Sequence, residues 1–266
     1  MSLVVAIRDG NRFILGADKQ ASGWNNKVHT ATKIWETEYE NCCIGSVGTA
    51  RGSQVIQYIK GLLDNAGFGK AELDDAFIHL QLPRTLYETL KAHGVLVDDP
   101  TKEFFLPNAF FIAYKDRCWK INQDLSVEEV EDYDAIGSGE DVAQGVIETA
   151  LAYGEKNPYM VISHAIDIAA EKTLYVDHEI DFVETGHNKK DTVNKLDALG
   201  IEVPDEVRKS KNPAEALLQL MLNPKQEAEA KEIAKEEAKA NKDETAEEKP
   251  AKKKLGKKQR LLESKE

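Results

Sequence analysis

The sequence predicts an α+β chain in which two antiparallel sheets stack face to face, each covered by helices. Three observations predict it. Two pairs of apolar runs, residues 2–8 with 12–17 and 109–114 with 118–122, are each joined by a short polar turn, the pattern of a hairpin. Helical stripes follow each strand group in pairs, so the chain lacks the strand–helix alternation of a doubly wound sheet. Within the strands consecutive residues are apolar, as expected of strands covered on both faces.

Taken in order, Asp9-Gly10-Asn11 supplies the turn of the first hairpin. Residues 27–35 alternate enough for a further strand, and Asn41-Cys42-Cys43-Ile44-Gly45-Ser46-Val47-Gly48 is a short apolar strand ending in glycine. Gly48-Thr49-Ala50 opens a helix whose stripe is Val55, Ile56, Ile59, Leu62 and Leu63, ended by residues 65–69. Residues 71–94 read as helical, interrupted near Pro83, with Phe77, Leu80, Leu86 and Leu90 inward; 98–102 is loop. After the second hairpin, 133–136 leads into Gly137-Ser138-Gly139 and a helix from Glu140 to Tyr153, with Val142, Val146, Ile147 and Ala150 on one face. Asn157 caps and Pro158 opens a helix running through Glu171. Residues 174–176 and 180–183 close the body as strands.

Composition divides the 266 residues into a body, 1–185, a small helical extension, 186–223, and a Lys/Glu/Ala-rich tail, 224–266. The extension carries Leu196, Leu199, Val203, Val207, Leu217, Leu218, Leu220 and Met221, enough for a satellite that packs on the body. The charged share of 31% is high, and the tail accounts for much of it with a small positive balance, +2 over residues 224–266, so that residues 1–223 carry −14 and the whole chain a formal −12. Such a body does not suit non-specific contact with nucleic acid or anionic membrane. The run Lys252-Lys253-Lys254-Leu255-Gly256-Lys257-Lys258-Gln259-Arg260 reads as a flexible basic arm for solubility or partner contact. No apolar stretch reaches the roughly 18 residues of a membrane span, and the N-terminus lacks a secretory layout, so the cytoplasm is the expected location. Cys42, Cys43 and Cys118 have neither disulfide nor zinc spacing and read as small core residues.

Ser2 raises a chemical question. Its small side chain allows Met1 to be removed, which would leave a hydroxyl beside a free α-amine of unperturbed pKa about 7.7–8.0. That pairing is an activated-nucleophile arrangement. On its own, Ser2 is read first as a common second residue.

Four motifs in order change that reading. Gly16-Ala17-Asp18-Lys19-Gln20-Ala21-Ser22, Lys33-Ile34, Gly45-Ser46-Val47-Gly48-Thr49-Ala50 and Ala135-Ile136-Gly137-Ser138-Gly139 resemble the corresponding motifs of proteasome β subunits and HslV-type peptidases. The resemblance covers roughly residues 2–184, and those families share the N-terminal nucleophile hydrolase fold. It implies a four-layer αββα sandwich, here with a helical C-terminal extension. It also implies that Ser2, where the family usually has Thr, is the nucleophile, with its own α-amine as base. Lys33 would take the place of the lysine that lowers the nucleophile's pKa, and Asp18 that of the carboxylate orienting it. Without the resemblance both read as ordinary turn and strand charges. Gly48 would supply the oxyanion N–H. Ser138 would bond near the amine, and it is also read as the cap of the next helix. Glu171 and Asp177 are both candidates for a late acidic partner. Peptide or unfolded protein would bind as an added strand between Ser22 and Gly48. The backbone carbonyls of Ala170, Thr173 and Val176 match positions that hold a monovalent cation such as Na+ in HslV-type subunits; the chemistry itself needs no cofactor. A homo-oligomeric ring and an ATP-dependent unfoldase are the implied partners. Two other readings stay open: a non-catalytic ring or scaffold protein acting through its C-terminal extension, and an amidase acting on a small amide.

Overall fold

The computed structural model describes residues 2–22, 27–28, 31–69, 73–96, 105–186 and 191–210. Contacts divide the chain into two compact units, Met1–Val203 and Pro204–Glu266. In the second, the described part is a short helix, Asp205–Lys209. The expected tail and the loop at 98–102 lie outside the described residues.

The first unit begins with the expected hairpin. β1 (Leu3–Asp9) and β2 (Arg12–Asp18) pair antiparallel, with Asp9 opposite Arg12 across Gly10-Asn11. Gly10 sits at φ +65°, a conformation open to glycine at the first position of a two-residue hairpin loop. β10 (Tyr133–Gly137) joins beside β1, and β11 (Ile180–Glu184) beside β2, giving the sheet order β10-β1-β2-β11.

β5 (Ile34–Glu36), β6 (Cys42–Gly48), β7 (Asn108–Tyr114), β8 (Arg117–Ile121) and β9 (Val127–Glu129) form the second antiparallel sheet in that order. The single strand expected over 27–35 is divided. β3 (Ala21–Ser22) and β4 (Lys27–Val28) make a two-stranded ribbon, whereas β5 pairs with β6. Backbone bonds from Ala31 N–H to the Lys19 carbonyl and from Ser46 N–H to the Lys33 carbonyl hold the stretch between them.

Alternation along the strands sorts the core into three clusters. Leu3, Val5, Ile7 and Ile14 meet Ile147, Tyr159, Ile162 and Ile166 of α3 (Glu140–Ala152) and α4 (Pro158–Lys172). Val4, Ala6, Phe13 and Leu15 meet Cys43, Val47, Phe111 and Ala113 of the second sheet. That sheet's other face, with Ile44, Phe110, Ile112 and Trp119, packs on Val55 and Ile56 of α1 (Ala50–Tyr58) and Leu82, Leu86 and Leu90 of α2 (Leu82–Ala92). The molecule thus has two antiparallel sheets with helices against them, as the sequence pattern implies. The cysteines are buried and free, and burial pushes the Cys42 thiol up to about 12 and those of Cys43 and Cys118 upward.

Several local expectations are corrected. α1 stops at Tyr58 because Ile59 is already extended, so Leu62 and Leu63 pack from a turn and not from the helix. Leu80 is 73% exposed. A π-helical turn over Phe77–Gln81, closed by the Leu82 N–H on the Phe77 carbonyl, inserts a residue. The buried stripe continues instead as Ile78, Leu82, Leu86 and Leu90. Pro83 does not end the helical run; it follows the π-turn directly, in the first turn of α2. Residues 174–176 are a turn and not a strand, since their main-chain neighbourhood bonds to side chains: Gln20 Nε2 donates to the Leu174 carbonyl at 3.1 Å. Asn157 caps α4 as expected, accepting from Tyr159 N–H. α3 is capped at Gly139 without a side-chain bond, so Ser138 is not its cap.

After β11 the chain forms α5 (Asp191–Ala198). Buried Glu184 accepts from Arg12 of β2 at 3.1 Å and from Lys195 of α5 at 2.6 Å, and the Tyr159 hydroxyl of α4 also donates to it. One carboxylate therefore joins strand, sheet neighbour and two helices.

Candidate active site

Asp18 ends β2 and is fully buried. Its carboxylate receives four donors. Leu3 N–H donates to Oδ1 at 2.8 Å, and Lys33 Nζ to the same oxygen at 2.6 Å. Gln20 N–H and Asp177 N–H donate to Oδ2 at 3.1 and 3.2 Å. A buried carboxylate with this many donors is held in place and compensated for its lost water. The arrangement fixes the residue after Ser2, the side chain of Lys33 and the turn after α4 on one anion.

Lys33 is 5% exposed. Burial lowers its pKa from the ordinary lysine range, while the charge and hydrogen bond of Asp18 and the charge of Asp177 oppose that lowering. The result is an ammonium that gives up its proton more readily than a surface lysine. Between the two acidic candidates left open by the sequence, Asp177 lies in this charge environment, whereas Glu171 is exposed on α4.

Ser2 is itself buried, and its carbonyl accepts Ser138 N–H at 2.9 Å and Ser138 Oγ at 3.4 Å. Ser138 therefore acts on the main chain of Ser2. Gly137, at φ +115°, admits this approach: a Cβ there would stand 2.0 Å from the Ser2 carbonyl oxygen. Gly48 ends β6 at φ +123°, where a Cβ would meet the Pro107 carbonyl at 2.2 Å. Directly after it Thr49 caps α1, its hydroxyl accepting from Gly52 N–H at 3.2 Å. The N-terminal end of α1 thus begins beside Gly48 and favours negative charge there.

Two cavities meet at Ser2 and Gly48. One, of 270 Å³, is also lined by Ala21, Lys33, Ser46 and Gln57; the other, of 510 Å³, by Phe105, Lys120, Asp124, Ser138 and Glu140. Ser2, Lys33 and Gly48 are brought to one wall system, with Asp18 behind it and Ser138 on the far side. Ser22 forms β3 with Ala21, and its side chain lies outside the described residues. Gln20 and Asn108, both fully buried and polar, belong to the surroundings of the site and were not singled out by sequence. Asn108 had a signal: it shares its strand face with Phe110 and Ile112, so period two turns a polar residue inward.

Of the three expected cation ligands, Thr173 is the C-cap residue of α4, with its N–H on the Ala169 carbonyl, and Ala170 lies in that helix's last turn. Helix-end carbonyls lack intrahelical partners and are hard oxygen ligands. The Thr173 hydroxyl is buried without a hydrogen-bond partner among the described residues, so the donor set fits a small hard cation. No group of three or more His, Cys, Asp or Glu suited to a metal occurs among the described residues. No helix among them is long and apolar enough to cross a membrane.

No protein-family model and no curated protein matches the chain. Solved structures do. BPH of Thiobacillus denitrificans, also solved in complex with epoxomicin, is 19% identical with a TM-score of 0.53, covering 68% of this chain and 96% of that one. HslV from Trypanosoma brucei is 16% identical with a TM-score of 0.50, covering 68% and 98%. Anbu from Yersinia bercovieri, described as an ancestral β-subunit, is 14% identical with a TM-score of 0.53, covering 68% and 80%. At such identities the likeness carries the fold and not the chemistry: this chain has the fold of the proteasome-like N-terminal nucleophile hydrolases.

Proposed function

We propose that this chain is a proteasome-like peptidase subunit that hydrolyses peptide bonds with Ser2 as an N-terminal nucleophile. The observation that carries the reading is the buried Lys33–Asp18 pair: Asp18 also holds the Leu3 N–H, and Lys33 borders the same cavity as Ser2 and Gly48. Once Met1 is removed, the Ser2 hydroxyl attacks the peptide carbonyl, and the α-amine accepts its proton directly or through water. Lys33, held charged by Asp18, lowers the hydroxyl's pKa. The Gly48 N–H receives the oxyanion. Collapse breaks the C–N bond, the leaving amine takes the proton back, and water then hydrolyses the Ser2 ester by the same route.

The three apolar clusters support a four-layer αββα arrangement for residues 1–185, with 186–223 as a helical extension and 224–266 as a charged arm. Peptide would lie between β3, at Ala21 and Ser22, and the end of β6, at Gly48, with the two cavities taking residues on either side of the cleaved bond. Ala170, Thr173 and Val176 would hold a monovalent cation through their carbonyls, and its charge would steady the turn leading to Asp177. A homo-oligomeric ring, unfolded substrates and an ATP-driven unfoldase in the cytoplasm complete the reading.

Intact mass and epoxomicin labelling test it. The expected mature chain begins at Ser2 and gains one adduct there, and Ser2→Ala loses both label and peptide hydrolysis. A chain that retains Met1, or Ser2→Ala with undiminished hydrolysis, rejects the mechanism and leaves a non-catalytic ring protein.

A further inference from the structure

We infer that Asn108 is a positioning residue that sets the direction of the Gly48 N–H; this rests on the proposed role of Gly48 as oxyanion donor. Asn108 is fully buried and lies opposite Gly48 in the β6–β7 ladder. Its Oδ1 accepts from the Thr49 hydroxyl at 2.9 Å, and its Nδ2 donates to the Thr49 carbonyl at 3.0 Å. Nδ2 also reaches the hydroxyls of Ser53 at 3.2 Å and Ser46 at 3.3 Å. The amide's orientation follows from its partners. The Thr49 carbonyl can only accept, so Nδ2 must face it. The Thr49 hydroxyl already accepts from Gly52 N–H, so its proton is free for Oδ1.

The hydroxyl and the carbonyl of Thr49, the residue that follows Gly48, are therefore gripped by one side chain. On the other side, the start of β7 closes on Gly48: a Cβ on Gly48 would lie 2.8 Å from the Asn108 Cα. Gly52 leaves room for the amide, since a Cβ there would stand 2.0 Å from Asn108 Oδ1. The turn that presents Gly48 is thus clamped between strand and side chain at the left-handed φ where a free glycine has most latitude. Asn108 borders neither cavity, whereas its partners Ser46 and Ser53 line the smaller one. It stands behind the wall and touches no substrate. A fully bonded buried amide is a rigid support, and a partly bonded one is costly. Its effect falls on a donor that matters most when negative charge develops, so kcat carries it and KM does not.

The test uses Asn108→Ala and Asn108→Ser in the full-length protein, with Glu184→Gln as a destabilised control remote from Ser2. Peptide-hydrolysis kinetics, epoxomicin labelling rate and thermal melting are read together. Asn108→Ala is expected to lower kcat by about 10²-fold, the effect of losing one oxyanion donor, with KM within about twofold. Asn108→Ser, which keeps a polar donor at the position but with a shorter reach, recovers part of it. If Asn108→Ala does not fold, Asn108→Ser is read against the control in the same way. A kcat within twofold of the parent chain overturns the inference, and so does a fall no greater than Glu184→Gln shows at a similar melting temperature. An inert, unlabelled parent chain instead rejects the peptidase reading on which the inference stands.

Discussion

At the residue scale the site turns on the charge state of Lys33. The proposed mechanism needs its ammonium, and burial lowers its pKa against the opposing pull of Asp18 and Asp177. Activity should therefore fall with rising pH on a limb below the ordinary lysine pKa of about 10.4. In the proposed mechanism the acid limb belongs to the α-amine of Ser2, which must be free to accept a proton. In Lys33→Arg, whose guanidinium stays charged, the alkaline limb should disappear while kcat drops; Lys33→Met should be inert. A pH profile whose alkaline limb persists in Lys33→Arg would remove Lys33 from this role. Ser138 shows the limit of residue-level reading. Its sequence position suggested a helix cap, but its N–H and hydroxyl both turn to the Ser2 carbonyl.

At the element scale Glu184 is the structural counterpart of Asp18. Burial raises its pKa, but Lys195, Tyr159 and Arg12 outweigh that, and the carboxyl sits below the usual range. The stability it contributes is fully present above the unfolded-state glutamate pKa of about 4.3 and is lost as pH falls through the lower folded value. Glu184→Gln removes the buried carboxylate that Lys195 and Arg12 share, Arg12 keeping Asp9, and should cost about 3 kcal/mol at neutral pH. It should also flatten part of the acid-induced loss. Urea denaturation across pH checks both, and a variant within about 0.5 kcal/mol of the parent chain would contradict the assignment. The strands were largely legible from their apolar residues between turn signals: β1, β2, β6, β7, β8, β10 and β11 fall where the pattern places them. What was not legible depends on tertiary partners. The extra residue of the π-turn at Phe77–Gln81 shifts Leu80 outward, and nothing in local periodicity announces it. Residues 31–33 look like strand, yet Lys33 is drawn to Asp18, fifteen positions earlier. Strand period marks Asn108 as inward-facing, but its partners, some 60 residues upstream, are not legible from local sequence.

At the scale of the whole molecule, assembly is the open question that the fold frames. α3 and α4 end in exposed apolar side chains, with Tyr153 at 89% and Leu174 at 76% exposure, and Ile168 and Tyr175 nearby in sequence. A ring would cover such surface. Analytical ultracentrifugation and native mass spectrometry should give a closed multiple of the 29.7 kDa chain mass; a monomer at micromolar concentration would reject the ring. The net charge of −12 makes assembly easier as salt rises, because like-charge repulsion is screened.

The fourth donor on Asp18 comes from Asp177, 159 residues along the chain. A chain still being synthesised cannot supply it. Until that last segment leaves the ribosome, the set of donors on Asp18 cannot be completed. Contacts so distant in sequence are also slow to form. The order of synthesis thereby delays the finished charge arrangement around Ser2 until the body is complete.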